Sequence, residues 1–417
     1  MKILILCDMF PPAFAPRMGY LCKYLKRAGW TPYVVTEQIN ENMFAFLADG
    51  ISVSYVNYYH FKNPVLNKLE WIITFFLDFF FHFKDRRMYN AAKRYVEKEN
   101  IEAVLCSTYR TFPLPAALKI AKEYNLPLIA DLRDIVEQYA SDEYISKKFH
   151  TFPALDRLIV KCFKNHLLKN RNKVIESADC VTTVSTWHVE TLSKYNKNTR
   201  LIYNGYDPEL FYPSHPTTKK FILSYTGRIL SLGIRDPRPL FEAIERLHNN
   251  NLISPETLRM AWYVDSNSEA ILKEESEKYN VCQYMDYHPY IPANEIPQLL
   301  HNSSILLQIA NKCDDNGPKG IMSTKLFEAM ATEKPLLCVR SDESCLEETI
   351  RKTKTGASAR NADEAYDFIL EKYEQWKKQG YTSVSPDKEA VERFSRKKQA
   401  DEFMSIFTEL IQKKRNG

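Results

Sequence analysis

The chain has 417 residues, with 57 basic and 52 acidic side chains and a net charge of +5. With 45% apolar and 26% charged residues, it reads as a soluble globular protein long enough for two domains. The positive excess is too mild to argue for a nucleic-acid partner, though it suits anionic substrates or an anionic membrane surface.

The apolar run at residues 3–6 predicts a buried parallel strand and is too short for a signal peptide. Pro11, Pro12 and Pro16 keep the following loop non-helical. Arg17, Met18 and Gly19 open a helix with Leu21, Tyr24, Leu25 and Ala28 as its apolar stripe. Gly29 ends it and residues 33–35 form the next strand, which makes a strand–helix–strand unit. The Gly-x-Gly-x-x-Gly fingerprint is absent, which argues against a nicotinamide enzyme. Residues 71–83 are aromatic and apolar, flanked by Lys62, Lys68, Lys84, Arg86 and Arg87. Such a run is too short to span a bilayer. It fits either a membrane interface, with the basic flank on anionic lipid, or a buried or oligomeric contact; Asp78 favours one wet face.

Residues 103–107 and 127–130 are further strands, with a helix over 115–124 between them. The second strand ends in Asp131-Leu132-Arg133-Asp134, at the end where open α/β sheets bind ligands. An ion pair closing a loop is the other reading of Arg133 and Asp134. Residues 135–178 are mostly helical and basic, and 180–185 and 201–203 are strands. Asn204-Gly205 is a strong turn dipeptide. We place the domain boundary there, giving a first domain at 1–205 and a second at 206–390.

Residues 221–226 restart the alternation and close on Gly227-Arg228, with Arg235 and Asp236 shortly after. Strands follow at 260–264 and 304–307, the second preceded by a helix over 293–302. The adjacent Asp314, Asp315 and Asn316 read as a solvated loop rather than a metal site. Next comes a helix entered from a loop containing Gly317 and Gly320, for which Ser323 or Thr324 can supply a side-chain cap. Leu326, Phe327, Met330 and Ala331 fall on one face; Thr324, Lys325 and Glu328 fall on another. The free N–H groups of such a helix start, with Lys325 beside them, attract a diphosphate, and Glu328 lies one turn on, within reach of ribose hydroxyls. The spacing alone favours an ordinary amphipathic helix with a Lys325–Glu328 surface pair. Residues 336–339 form a buried strand, Glu343, Glu347 and Glu348 have no assigned role, and 391–417 is a closing helix. The nine cysteines are scattered without a Cys-x-x-Cys pair, as expected of reduced thiols in a cytosolic protein.

The run Ser323-Thr324-Lys325-Leu326-Phe327-Glu328-Ala329-Met330-Ala331, followed by Lys334-Pro335, resembles the donor-binding segment of family-four glycosyltransferases. That resemblance implies an α/β GT-B fold, two Rossmann-like domains facing a central cleft, with the last helix crossing back to the first domain. Glu328 matches the ribose ligand; Gly320 stands where the family's first glutamate falls. Gly227-Arg228 resembles the diphosphate contact, and Arg235 either replaces the usual lysine or pairs with Asp236. Gly19 matches a glycine near the donor phosphates, and Arg133 and Asp134 match a motif that faces the donor sugar. Asn204-Gly205-Tyr206-Asp207 resembles the hinge turn. The resemblance implies metal-independent retaining transfer of a sugar from a nucleotide diphosphate sugar to a hydroxyl acceptor, a sugar or a lipid-linked sugar, with no further cofactor. The expected setting is polysaccharide or glycolipid synthesis in the cytoplasm, at the inner face of the membrane if residues 71–83 touch lipid. A non-catalytic sugar-nucleotide-binding partner and a sugar-nucleotide epimerase are the alternatives.

Overall fold

The computed structural model describes residues 1–138, 153–310 and 322–416. They form two compact units, Met1–Tyr203 with Arg396–Gly417, and Asn204–Ser395. Asp314, Asp315, Asn316, Gly317 and Gly320 lie outside the described residues, as does part of the helical stretch expected after residue 135.

The first unit holds seven parallel strands: β1 (Lys2–Cys7), β2 (Thr31–Glu37), β3 (Ser52–Val56), β4 (Ala103–Thr108), β5 (Leu128–Leu132), β6 (Cys180–Thr183) and β7 (Thr199–Leu201). Their order is β3-β2-β1-β4-β5-β6-β7, so the winding reverses beside β1. Before the last helix, the described residues add α1 (Pro16–Arg27), α2 (Pro64–Phe81), α3 (Phe83–Lys98), α4 (Leu114–Glu123), α5 (Pro153–Ser177) and α6 (Thr186–Leu192). Alternation along β1 divides the core, because successive strand side chains point to opposite faces. Ile3, Ile5 and Cys7 pack with Met18, Leu21 and Leu25 of α1 and with Phe403, Phe407 and Leu410 of the chain's last helix. Leu4 and Leu6 pack on the other face with Met88 and Ala92 of α3 and Leu114 and Ala117 of α4. With both faces covered, the central strands read as continuous apolar runs.

The aromatic run takes an unexpected form. It belongs to an 18-residue helix, α2, capped by the Asn63 side chain, which accepts from Val65 N at 3.0 Å. The helix stops at His82, whose φ of 51° is left-handed. Of its residues only Thr74 is buried, so the single chain does not bury this helix as a core element.

The second unit has six parallel strands, β8 (Phe221–Thr226), β9 (Leu258–Tyr263), β10 (Met285–His288), β11 (Ile305–Ile309), β12 (Leu336–Val339) and β13 (Gly356–Ala359), in the order β10-β9-β8-β11-β12-β13. Around them lie α7 (Arg238–Asn249), α8 (Ser266–Lys278), α9 (Ile296–His301), α10 (Thr324–Met330), α11 (Cys345–Thr353), α12 (Ala362–Gln379) and α13 (Lys388–Glu392). Trp262, Phe221, Phe241 and Leu337 are among the buried side chains of its core. Where the chain enters and leaves this unit, Tyr206 bridges Ser395 in parallel and its N–H donates to the Phe394 carbonyl at 3.0 Å. The last helix, α14 (Arg396–Asn416), then joins the first unit.

Candidate functional site

The charged residues that the sequence singled out in the second unit gather where β8 ends. The chain leaves β8 at Thr226 and turns through Gly227 to Arg228. The Tyr225 hydroxyl donates to the Arg228 carbonyl at 3.0 Å, and Arg235 donates to the same carbonyl and to that hydroxyl, at 3.4 Å for the latter. Arg228 Nε lies 3.3 Å from Asp265 Oδ2, with most of its side chain in solvent. From α10, Lys325 brings its amine over Gly227. A Cβ at position 227 would stand 2.6 Å from Lys325 Nζ and 2.9 Å from Tyr225 Oη, so a side chain there would displace these groups. Asp236 is occupied by Arg238, at 2.6 Å, and by Arg340. Arg235 turns to the end of β8 instead, while its neighbour's carboxylate is engaged by those two arginines.

Arg228, Arg235 and Lys325 act on one another electrostatically. Loss of water around the Lys325 amine, and then the positive charge of Arg235, push its ammonium down to about 8; Glu328 pulls the other way and Arg228 adds to the push. Lys325 is exposed as a residue, so its stem meets solvent while its amine sits among these groups. Three cations at one strand end repel each other, and an anion placed among them relieves that repulsion. The forked guanidinium of arginine matches the oxygens of a phosphate.

Two expectations for α10 need correction. Ser323 stands at the N-cap position but makes no side-chain cap, and its Oγ is buried without a hydrogen-bond partner among the described residues. Thr324 is already the first helical residue. Leu326 donates its N–H to the Ser323 carbonyl at 3.1 Å and its side chain is fully buried, so neither is presented to a ligand. Phe327 and Met330 are buried with it and seat the helix, as the spacing predicts. Glu328 is half-buried.

In the first unit, Arg133 follows β5 and Asp8 follows β1. Arg133 Nη2 donates to Asp8 Oδ1, whose oxygen also accepts from Met9 N at 2.9 Å, while Thr108 donates to Oδ2 at 3.2 Å. The ion pair of Arg133 is thus with Asp8, on the neighbouring part of the sheet; the charge of Asp134 also favours the guanidinium. Burial pushes the Asp8 carboxyl up, against the pull of Arg133. Gly19 lies inside α1, where a Cβ would meet Pro11 Cγ at 2.7 Å and Leu47 Cβ at 2.9 Å. Close packing alone demands glycine there. Among the described residues, no group of three or more His, Cys, Asp or Glu side chains is placed to hold a metal ion.

Residues 17–210 match the model of the family described as Glycosyltransferase Family 4. Among solved structures, the chain is similar to a glycosyltransferase from Rickettsia africae, at 15% identity, a TM-score of 0.65 and 98% coverage of either chain. It is similar also to Anabaena Alr3699/HepE in complex with UDP, at 16% identity and a TM-score of 0.63, covering 98% of this chain and 100% of that one. The chain has the GT-B fold, and over residues 17–210 it is similar to that family. A sucrose-phosphate synthase from Thermosynechococcus elongatus shares the fold, at 16% identity, a TM-score of 0.59 and 99% coverage of either chain. A search of curated proteins by sequence returns no match.

The chain also carries a buried ion pair that sequence reasoning missed. Arg17, in the first turn of α1, donates to Asp131 at the end of β5 at 2.9 and 3.1 Å, and to the carbonyls of Ile202 and Tyr203. Ser107 and Thr182 donate to the same carboxylate at 2.7 and 2.8 Å. Arg17 is 4% exposed and Asp131 is fully buried. Burial alone would raise the Asp131 carboxyl; the guanidinium and the two hydroxyls hold it below its usual range. The signal was available, because a carboxylate at the end of a fully apolar strand requires a partner.

Proposed function

We propose that the chain is a glycosyltransferase that takes its sugar from a nucleotide diphosphate sugar and binds the diphosphate among Arg228, Arg235 and Lys325. The gathering of these three cations at the end of β8 carries the reading. The Anabaena relative in complex with UDP, and its further structures with UDP and glucose and with UDP-glucose, support the donor class. As the bond between the sugar's anomeric carbon and the diphosphate breaks, negative charge builds on the leaving oxygen. Fixed cations favour that charge more strongly than they favour the intact donor, and the difference is catalysis. A hydroxyl of the acceptor forms the new glycosidic bond and its proton is lost. Glu328 holds the ribose, and configuration at the anomeric carbon is retained without a metal ion.

Arg133 and Asp134 serve the sugar of the donor, with Arg133 held by its ion pair with Asp8. The product belongs to a cell-surface polysaccharide or glycolipid. The exposed helix α2 supports work at the inner face of the cytoplasmic membrane, since Ile73, Phe76 and Phe80 are at least half exposed and Lys62, Lys68 and Arg86 flank them in solvent. No helix among the described residues is long and apolar enough to cross a membrane.

The test is calorimetric titration of the purified chain with nucleotide sugars. Arg228→Ala and Glu328→Ala should each weaken binding roughly tenfold to a hundredfold, the ordinary cost of one hydrogen bond to a charged group. Unchanged affinity in both variants would overturn the assignment.

A further inference from the structure

Two tyrosines bracket the turn at the end of β8. Tyr225 is 4% exposed, and its hydroxyl fixes the backbone by donating to the Arg228 carbonyl. Tyr290 comes from a different element, two residues beyond the end of β10, and is about half exposed. Its hydroxyl reaches the side chain of Arg228. Arg228 Nε, Asp265 Oδ2 and Tyr290 Oη stand at the corners of a triangle: 3.3 Å from Nε to Oδ2, 3.4 Å from Nε to Oη and 3.3 Å from Oη to Oδ2. The Gly227 carbonyl lies 3.5 Å from the same hydroxyl. The phenol accepts from the guanidinium, and its one proton goes to the carboxylate or to that carbonyl.

Asp265 is itself held in place. Its Oδ1 caps α8 by accepting from Ser268 N at 2.9 Å, and Ser268 Oγ accepts from Ile229 N at 2.8 Å. The loop after β8 is thus fastened to the start of α8 at the residue that follows Arg228.

This arrangement takes Arg228 by one nitrogen and leaves the others. Its side chain is 64% exposed, and among the described residues no hydrogen bond occupies either terminal nitrogen. A carboxylate facing an arginine by itself favours the two-pronged grip, which uses up a terminal nitrogen. The Tyr290 hydroxyl shares Oδ2 and so leaves Asp265 with Nε. An exposed arginine samples many rotamers and loses that freedom on binding. Anchoring at Nε removes part of the loss in advance, while both prongs of the fork stay open to oxygen atoms.

We propose that Tyr290 is a positioning residue for the donor: with Asp265 it holds Arg228 by Nε and aims the two terminal nitrogens at the diphosphate. The proposal rests on the diphosphate reading above and adds to it a residue that acts through Arg228.

The experiment titrates the full chain calorimetrically with UDP, GDP, ADP, CDP and dTDP. The tightest of these is carried through Tyr290→Phe, Arg228→Ala and the double variant, with a thermal melt to show that each is folded. Tyr290→Phe removes one oxygen at a half-exposed position and should weaken binding about threefold to tenfold. In the Arg228→Ala background it should change affinity by less than about twofold, because the residue it acts through is gone. Added salt should weaken Tyr290→Phe and the parent chain alike, since no charge is lost, and should weaken Arg228→Ala less. A merely structural hydroxyl gives the same loss in both backgrounds, because Arg235, Lys325 and Glu328 remain to be disturbed. That result overturns the proposal, as does unchanged affinity of Tyr290→Phe in the parent chain. Arg228→Ala without effect, or no binding of any of the diphosphates, sinks the diphosphate reading itself. A weakened Arg228→Ala on which Tyr290→Phe is additive sinks only the positioning role.

Discussion

Lys325 ties nucleotide binding to pH. Its ammonium in the free protein is pushed down to about 8, so above that value the amine is largely neutral. A bound diphosphate favours the charged form, so binding takes up a proton wherever the amine has lost one. Affinity should therefore be full below about 8 and fall as pH rises through it, and Lys325→Met should flatten the profile. Titration in buffers of different ionisation enthalpy reads the proton uptake directly. Asp131 behaves in the opposite sense. Its carboxyl is held below 3.8, so the stability it supplies is present above that value and is lost as pH falls below it. Asp131→Ala leaves Arg17 buried and unmatched, at about 3–5 kcal/mol of unfolding free energy, readable in a denaturant titration. That Arg228, Lys325 and Glu328 come near one another was legible in the sequence, because each sits on a local pattern of strand end or helix turn. The Arg17–Asp131 pair was only half legible: Asp131 at the end of an apolar strand asks for a partner, but that partner stands 114 positions away.

Among the elements, α2 departs furthest from ordinary patterning. A surface helix usually turns an apolar stripe inward and a polar face outward. In α2 aromatic residues cover both faces, with Phe75 lining a cavity of the first unit and Phe76 and Phe80 in solvent. Replacing Phe76 and Phe80 together by Asp should sharply reduce co-sedimentation with anionic liposomes. The melting temperature should hardly move, because exposed positions away from packing contribute within about 0.5 kcal/mol. Strong co-sedimentation of the double variant would exclude this helix as the contact. The sequence announced the aromatic run but not its state, since composition is the same for a buried helix and an exposed one. Central strands such as β1 and β4 were readable as unbroken apolar runs. The edge strands β3 and β13 were not: Ser52–Val56 is half polar and Gly356–Ala359 reads Gly-Ala-Ser-Ala, so their pairing is fixed by neighbours rather than by their own side chains.

For the whole molecule, the notable feature is a first unit built from both ends of the chain. The division at Tyr203–Asn204 lies beside an Asn-Gly turn that marks itself in the sequence, whereas the return at Ser395–Arg396 has no such dipeptide. Phe403 is 1% exposed against β1 and α1, so Phe403→Ala should cost about 3–5 kcal/mol in the first unit. Nucleotide titration should then show the second unit still competent, because its core contains no residue of α14. A chain ending at Ser395 would leave Ile3, Ile5, Met18 and Leu21 without the cover of Phe403 and Phe407. During synthesis every molecule passes through that condition. The opening strand and helix emerge from the ribosome early, yet their covering segment is translated only after the entire second unit. The nascent amino-terminal half must therefore wait with one greasy side bare, which makes it a natural client for chaperones and makes fragments lacking the final twenty or so residues prone to precipitate.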